Sequence, residues 1–370
     1  MIIGIDASRA NILLKTGTEY YCSEIIKWLS KIDQKNQYIL YSPSPLKGDL
    51  ANLGSNFQNK VIKFPKFWTL IRLSLEMLKS PPDVLFIPAH VLPLIHPKNS
   101  VVTIHDVAFC YFPELYDNLA RKYLEWSTKF ALKHAKRIIA VSQNTKKDLI
   151  KLYKADPLKI SVVYNGYNKL FNSFRPEQAY LNSLKQRFNL NKPFILFVGR
   201  IERRKNVGNI VKAFNYLKNE GLDFKLVLAG KHGFGASEIL KQIEESDFKD
   251  DIILPGYISM EDYLYLMHEA RVFVFPSLYE GFGIPVLEAM ASGTPVVCSN
   301  RNPFTEIGKD AALYIDPLKP EEIAKAILRI IADSNLRNNL IIKGKERAKE
   351  FSWEKCAKET LKILEEVRKE

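Results

Sequence analysis

A chain of 370 residues is too long for one ordinary hydrophobic core and suits two domains of roughly 150–200 residues. Its 46% hydrophobic and 26% charged residues are those of a soluble globular protein. It has no apolar run long enough to span a membrane; MIIGIDAS, without a basic n-region or a long apolar core, is expected to be a first strand and not a signal peptide; and Cys22, Cys110, Cys298 and Cys356 form no C-x-x-C pair, which disfavours a zinc site or disulfide framework and fits a reducing cytosol. The net charge of +13 is one-sided: residues 1–190 hold 27 Lys+Arg against 14 Asp+Glu, residues 191–370 hold 27 of each, and so the first half is expected to meet an anionic partner or simply to be a lysine-rich solvated surface.

Short apolar runs alternate with amphipathic stretches along the whole chain. Strands are expected at residues 2–5, 37–41, 60–64, 84–87, 101–104, 137–141 and 160–163, with helices at 19–32, 69–78, 119–134 and 145–153 between them. The alternation restarts after a polar stretch, with strands expected at 194–198, 225–229, 251–254, 272–275, 295–298 and 312–315; residues from 320 onward read as helix alone. Strands without polar alternation are those of parallel sheets covered on both faces. Two such series make an α/β protein of two Rossmann-like domains. The first is expected over residues 1–170, a linker over 171–191 and the second domain over 192–352. Ligands of doubly wound sheets bind beyond the carboxyl ends of strands, so the turns that follow strands are where chemistry belongs.

After the first strand, Lys15-Thr-Gly17-Thr-Glu19 opens a helix and could bring amides to a phosphate, although a plain N-cap explains it equally well. His105-Asp106 follows the fifth strand, a pair that suits sugar hydroxyls or proton transfer, or else a satisfied structural histidine. Ser142 reads as a helix cap and Asn165-Gly166 as a turn. In the second half, Gly199-Arg200-Ile-Glu-Arg-Arg-Lys205-Asn206 places four cations after a strand and before a helix, an arrangement that opposes the helix dipole unless an anion sits among them. Gly230-Lys231 ends the next strand. The sharpest stretch is VFVFPSLYEGFGIPVLEAMASGTPVV: a strand, a turn carrying Glu280, Gly281, Phe282 and Gly283, a helix start at Ile284-Pro285, and Glu288 within that helix. Two glycines clear side chains from an amide-lined helix start, which points to a phosphorylated, hydroxyl-rich ligand, whereas the plainer reading is a capped surface helix.

With these motifs the chain resembles the family 4 retaining glycosyltransferases of the GT-B fold. The resemblance rests on Glu280-Gly-Phe-Gly-Ile-Pro-Val-Leu-Glu288 as the family's Glu-x7-Glu motif, and on Gly199-Arg200 through Lys205-Asn206, Leu228-Ala-Gly-Lys231, Thr103-Ile-His-Asp106, Ala140-Val-Ser142 and Tyr164-Asn-Gly166. It implies two Rossmann-like domains facing across a cleft, with a helix at 353–370 returning to the first. Catalytic roles then fall to His105, Arg200, Lys205 and Glu280. A nucleotide-diphosphate sugar would meet Gly17, Gly199, Arg200, Lys205, Gly230, Lys231, Gly281, Phe282, Gly283, Ile284 and Glu288. Arg200 and Lys205 would neutralise the diphosphate, Glu288 would hold the ribose and Glu280 the transferred sugar, with no cofactor and no metal. The resemblance is to mannosyltransferases of surface-polysaccharide assembly, which favours GDP-mannose. The segment Ser299-Asn-Arg-Asn-Pro-Phe-Thr-Glu306 lacks the Pro-Glu pair often found there, and Lys15-Thr-Gly17-Thr is poorer in glycine than many relatives.

Residues 60–79, KVIKFPKFWTLIRLSLEMLK, interleave basic with aromatic and aliphatic residues. This composition suits contact with an anionic membrane and a lipid-linked acceptor at the inner face of the cell membrane; an ordinary core face with solvated lysines is the alternative. A nucleotide-sugar epimerase of the same fold is the nearest rival activity. A nucleic-acid-binding protein is disfavoured because no helix-turn-helix, RNP or zinc-finger pattern is present. An inactive binding module is disfavoured by the intact Glu280, Glu288, Arg200 and Lys205.

Overall fold

The computed structural model describes residues 1–12, 17–64 and 67–369. They form two compact units, Met1–Gly166 with Phe351–Glu370, and Tyr167–Glu350. The first holds β1 (Ile2–Asp6), β2 (Gln37–Ser42), β3 (Phe57–Val61), β4 (Val84–Ile87), β5 (Ser100–Ile104), β6 (Arg137–Ala140) and β7 (Ile160–Val162) in the order β3-β2-β1-β4-β5-β6-β7. The second holds β8 (Phe194–Val198), β9 (Lys225–Ala229), β10 (Ile252–Gly256), β11 (Val272–Phe275), β12 (Val296–Ser299) and β13 (Leu313–Ile315) in the order β10-β9-β8-β11-β12-β13. All pairings are parallel. β4, β5, β9, β11 and β12 are buried at every residue, as sheets covered by helices on both faces require. In each sheet the winding reverses once, between β1 and β4 and between β8 and β11; such a reversal parts the loops above it and opens a crevice.

Three stretches differ from the sequence expectation. The third strand runs over Phe57–Val61, not 60–64: it is a half-exposed edge strand in which apolar content says little about position, and Phe57 stacks on Tyr38 at 4.1 Å to set the register. Residues 69–78 begin as a π-helix, Trp68–Leu73, before the α-helix Ser74–Lys79; Trp68 is drawn in by an Nε1–H bond of 2.7 Å to the Ile62 carbonyl. The stretch expected as a linker packs within the second unit, where helix Gln178–Arg187 stacks Tyr180 on Tyr265 at 4.5 Å and pairs Arg187 with Asp262.

The C-terminal helix Trp353–Lys369 belongs to the first unit and lies on helix Gly17–Ile32, burying Trp353, Cys356, Ile363, Leu364 and Val367. Outgoing and returning chain touch: a Cβ on Gly166 would lie 2.1 Å from the Trp353 nitrogen, so only glycine fits.

Candidate functional site

The loops after β8 and β11 leave neighbouring strands at the reversal of the second sheet, and their backbones join through Leu278 N–H to the Arg204 carbonyl at 2.9 Å. Lys205, in the single turn Arg203–Lys205, is thereby set against Glu280 and donates to its Oε1. Arg204 Nη1 stands 3.3 Å from the same oxygen and donates to the Tyr279 carbonyl at 2.8 Å. Burial pushes the Glu280 carboxyl up, but the Lys205 and Arg204 charges outweigh it and hold the group below its ordinary range. The Lys205 ammonium also sits 5.1 Å from the centre of the Phe275 ring.

The four cations of this loop are less exposed as charge than the sequence suggests. Arg203 grips Glu238 at 2.7 and 2.8 Å, Arg204 holds Glu202 at 2.9 Å, and Lys205 holds Glu280. The anions that relieve the dipole are thus the protein's own carboxylates. Arg200, exposed at the strand end, is the member of the four with no ion pair among the described residues.

Gly281, Phe282 and Gly283 are buried, and helix Ile284–Ser292 opens at Gly283, whose φ of 108° only glycine adopts readily. A Cβ there would press on Phe304 at 3.0 Å. Pro285 fills the first turn and no acidic residue occupies it, so the amide end keeps its attraction for an anion. Glu288 lies one turn further on, 6% exposed, and accepts a 2.7 Å hydrogen bond from the Tyr263 hydroxyl. Burial raises its pKa to about 7 against the lowering effect of that bond. Tyr263, on helix Met260–Glu269, carries no motif and is not identifiable from sequence as a partner of Glu288.

Gly199 and Gly230 do not offer amides to a ligand. The Gly199 N–H bonds the Ala229 carbonyl at 2.9 Å and the Gly230 N–H bonds the Gly256 carbonyl at 2.8 Å, so both are spent on the sheet. A Cβ on Gly230, whose φ is 147°, would fall 1.8 Å from the Gly199 oxygen: these glycines let β8 and β9 converge. Lys231 is exposed and lies 5.0 Å from the ring of Tyr257, itself 60% exposed beyond β10 and absent from the sequence-based set.

In the first unit His105 directly follows β5 and is 8% exposed. Its Nε2 lies 2.8 Å from the Pro88 carbonyl; a carbonyl only accepts, so Nε2 carries the hydrogen and Nδ1 keeps a lone pair. Burial, with His90 nearby, depresses its pKa to about 4, which leaves a neutral ring that can accept a hydroxyl hydrogen but is no acid near pH 7. Gly17 opens helix Gly17–Ile32 and is exposed; Lys15 and Thr16, the rest of that expected phosphate turn, lie outside the described residues. Ser142 caps helix Gln143–Tyr153 through a 3.0 Å bond from Thr145 N–H, and Asp106 accepts from Ala108 N–H at 2.9 Å. Glu306 sits on helix Phe304–Gly308, its carbonyl bonded by Arg347 at 2.9 Å. Among the described residues no group of three or more His, Cys, Asp or Glu is arranged to hold a metal.

Residues 16–169 match the sequence family described as Glycosyltransferase Family 4, and residues 182–347 match Glycosyl transferases group 1. The O-antigen chain mannosyltransferase B of Escherichia coli is 32% identical over 266 residues, covering 71% of this chain and 69% of that protein. The O-antigen chain mannosyltransferase RfbU of Salmonella typhimurium is 29% identical, over 65% of this chain and 63% of the relative. Among solved structures, WaaG, a glycosyltransferase involved in lipopolysaccharide biosynthesis, superposes with a TM-score of 0.75 at 15% identity, over 98% of this chain and 99% of that one. Anabaena Alr3699/HepE in complex with UDP and glucose also gives a TM-score of 0.75, at 17% identity over 98% and 99%. The two-unit architecture is thus the GT-B fold.

Proposed function

The chain belongs to glycosyltransferase family 4, and from that membership we propose that it is a retaining enzyme that moves a sugar from a nucleotide-diphosphate sugar, GDP-mannose being favoured, to a glycan or lipid-linked acceptor of a cell-envelope polysaccharide. The relatives named as O-antigen mannosyltransferases support the choice of sugar and pathway class. The observation that carries the reading is the meeting of Lys205, Arg204 and Glu280 at the winding reversal, beside the amide end of helix Ile284–Ser292.

In this reading the second unit takes the nucleotide. Negative charge grows on the departing diphosphate as the anomeric C–O bond breaks, and cations and amides already in place stabilise it without reorganising. Arg200 and Lys205 supply the charge and the Gly283–Ile284 backbone supplies the dipole, a division of labour that calls for no metal. Ribose hydroxyls fall to Glu288, and Glu280, held ionised by Lys205, accepts from the transferred sugar. His105 accepts a sugar hydroxyl through Nδ1 in the first unit.

A thermal-shift screen against UDP, GDP, ADP and their common sugars tests this. A ligand at 100 times its Kd stabilises by about 2.7 kcal/mol, several degrees in Tm. GDP and GDP-mannose are expected to give the largest shifts; no shift with any nucleotide, together with no release of nucleoside diphosphate, would sink the proposal.

We further assign the basic first unit to the cytoplasmic face of an anionic membrane. No helix among the described residues is long and apolar enough to cross one. Phe67 is 66% exposed, Ile71 44%, Leu75 50% and Leu78 67%, whereas Leu73 is buried and Lys60 and Arg72 pair with Glu76; Lys66 lies outside the described residues. On helix Asn118–His134 the exposed stripe Leu119, Lys122, Tyr123, Trp126, Lys129 and Lys133 joins cations to aromatic rings. Flotation with vesicles containing anionic lipid is expected to carry the protein upward at low salt and to fail in neutral vesicles. Absence of flotation even at low salt refutes membrane contact while leaving transfer untouched.

A further inference from the structure

His90 was not singled out by any sequence motif. It follows β4, at the point where the first sheet reverses its winding, and it is half-buried with a φ of 39°. Positive φ is uncommon outside glycine, and a residue kept there despite the strain is a reason to look for a role at that spot.

The structure gives that spot an unusual symmetry. His90 Nε2 lies 3.0 Å from the carbonyl of Asp106, in the turn after β5. His105 Nε2, from that turn, lies 2.8 Å from the carbonyl of Pro88, in the turn that holds His90. Each imidazole therefore donates across to the other's turn. A further bond of 3.0 Å, from His90 N–H to the Thr103 carbonyl, joins the same two strand ends. The two rings stand 5.7 Å apart, tilted by 39°. Since a carbonyl cannot donate, Nε2 carries a hydrogen in both rings, and in the neutral form of each ring Nδ1 is the acceptor. None of the hydrogen bonds described for His90 or His105 uses Nδ1.

A structural clasp alone would need only two donors, and asparagine would serve without a ring. Two adjacent imidazoles, each with Nδ1 left over from the clasp, supply something else: acceptors for two hydroxyl hydrogens. With ring centres 5.7 Å apart and a hydroxyl hydrogen bond spanning about 2.8 Å, two hydroxyls of one sugar ring are of a size to reach both imidazoles. Neutrality matters, because a protonated imidazole donates at both nitrogens. Burial and the second histidine hold His105 neutral, with a pKa near 4.

We propose that His90 is a sugar-binding residue that acts together with His105, the two Nδ1 atoms accepting from a pair of hydroxyls of a pyranose at the carboxyl edge of the first sheet. The inference rests on the transferase reading above, and on no assignment of which sugar, transferred or acceptor, is held there.

The test uses the full chain labelled with 15N-histidine. Long-range 1H–15N spectra are recorded alone and with GDP, GDP-mannose, UDP-glucose and methyl α-D-mannopyranoside. Both rings are expected in the Nε2–H tautomer, and a sugar-bearing ligand that is turned over, or a bound glycoside, is expected to move both Nδ1 resonances while the bare nucleotide moves neither. His90→Asn, in which asparagine tolerates positive φ, is expected to lower transfer kcat/KM by at least ten-fold, with GDP affinity unchanged within two-fold. If Nδ1 of His90 stays in place with a sugar that is turned over, or if His90→Asn transfers at the wild-type rate, the proposal is wrong and the transferase reading stands. Should the variant fail to fold, the wild-type spectra decide alone. Failure of every nucleotide and sugar to bind would instead overturn the transferase reading, and this inference with it.

Discussion

Exchange of Lys205 for alanine is expected to lower kcat/KM by about 100-fold, chiefly in kcat, because the charge it removes is needed most when the diphosphate departs. The loss has two parts in this structure. Lys205 is the nearest of the loop cations to Glu280, and without it the carboxylate's remaining ion-pair partner among the described residues is Arg204 at 3.3 Å, which itself is shared with Glu202. A weakened partner for a carboxylate that is only 13% exposed is expected to cost about 1–3 kcal/mol of stability. Arg203→Ala is the control from the same turn. Its partner Glu238 is 67% exposed, so its loss is expected to alter stability by no more than about 0.5 kcal/mol and turnover by less than two-fold. Steady-state kinetics and thermal unfolding of the two variants separate the roles; equal damage from both would mean that the turn serves the fold and not the chemistry.

Glu288→Gln is expected to raise stability and lower activity together. The folded carboxyl holds its proton up to about pH 7, whereas the unfolded one releases it near 4.5, so folding takes up a proton between these values and stability falls as pH rises through that window. Above pH 7 the deficit is constant and on the order of 3 kcal/mol by the usual conversion of a pKa difference. Glutamine has no such titration. At pH 8 the variant is expected to melt about 5 °C above wild type, and at pH 4 at the same temperature. Its amide keeps one acceptor oxygen for Tyr263 but cannot accept from two ribose hydroxyls, and a loss of at least ten-fold in kcat/KM is expected. Wild-type kcat/KM should itself decline below about pH 7 as the free enzyme's Glu288 takes a proton. Melting curves at the two pH values check the first claim and a pH–rate profile the second; a variant no more stable at pH 8 than wild type would show that Glu288 is well solvated or paired there.

The alternation of strands and helices is legible in the sequence because buried parallel strands such as VLFI and VFVF carry no polar residue to confuse the period. The edge strand Phe57–Val61 is not, since solvent on its flanks leaves no burial pattern to read. The motif from Glu280 to Glu288 names residues correctly placed at a strand end and a helix start. What it hides is pairing. Lys205 and Glu280 are 75 positions apart and meet only because β8 and β11 are neighbours at the reversal, and Arg203 reaches Glu238, on helix Ala236–Glu244, because β9 is the other neighbour of β8; the Arg204–Glu202 pair alone is local. Tyr263 and His90 escape for the same reason: each is ordinary in its own segment and acquires meaning only from what the fold sets beside it.

The return of the last helix to the first unit bears on the order in which the protein is made. Helix Trp353–Lys369 covers helix Gly17–Ile32 from the amino end of the chain, and Trp353 stands edge-on to Tyr20 and Tyr21 at 5.7 and 5.8 Å. On the ribosome, the first sheet emerges long before its covering helix, while Tyr167–Glu350 is complete by the time residue 351 is added. The unit that starts first therefore finishes last, with the apolar side of Gly17–Ile32 uncovered throughout synthesis of the second. That interval is when a nascent chain of this kind is most exposed to aggregation and most in need of a chaperone, and it closes when Trp353 settles against Gly166.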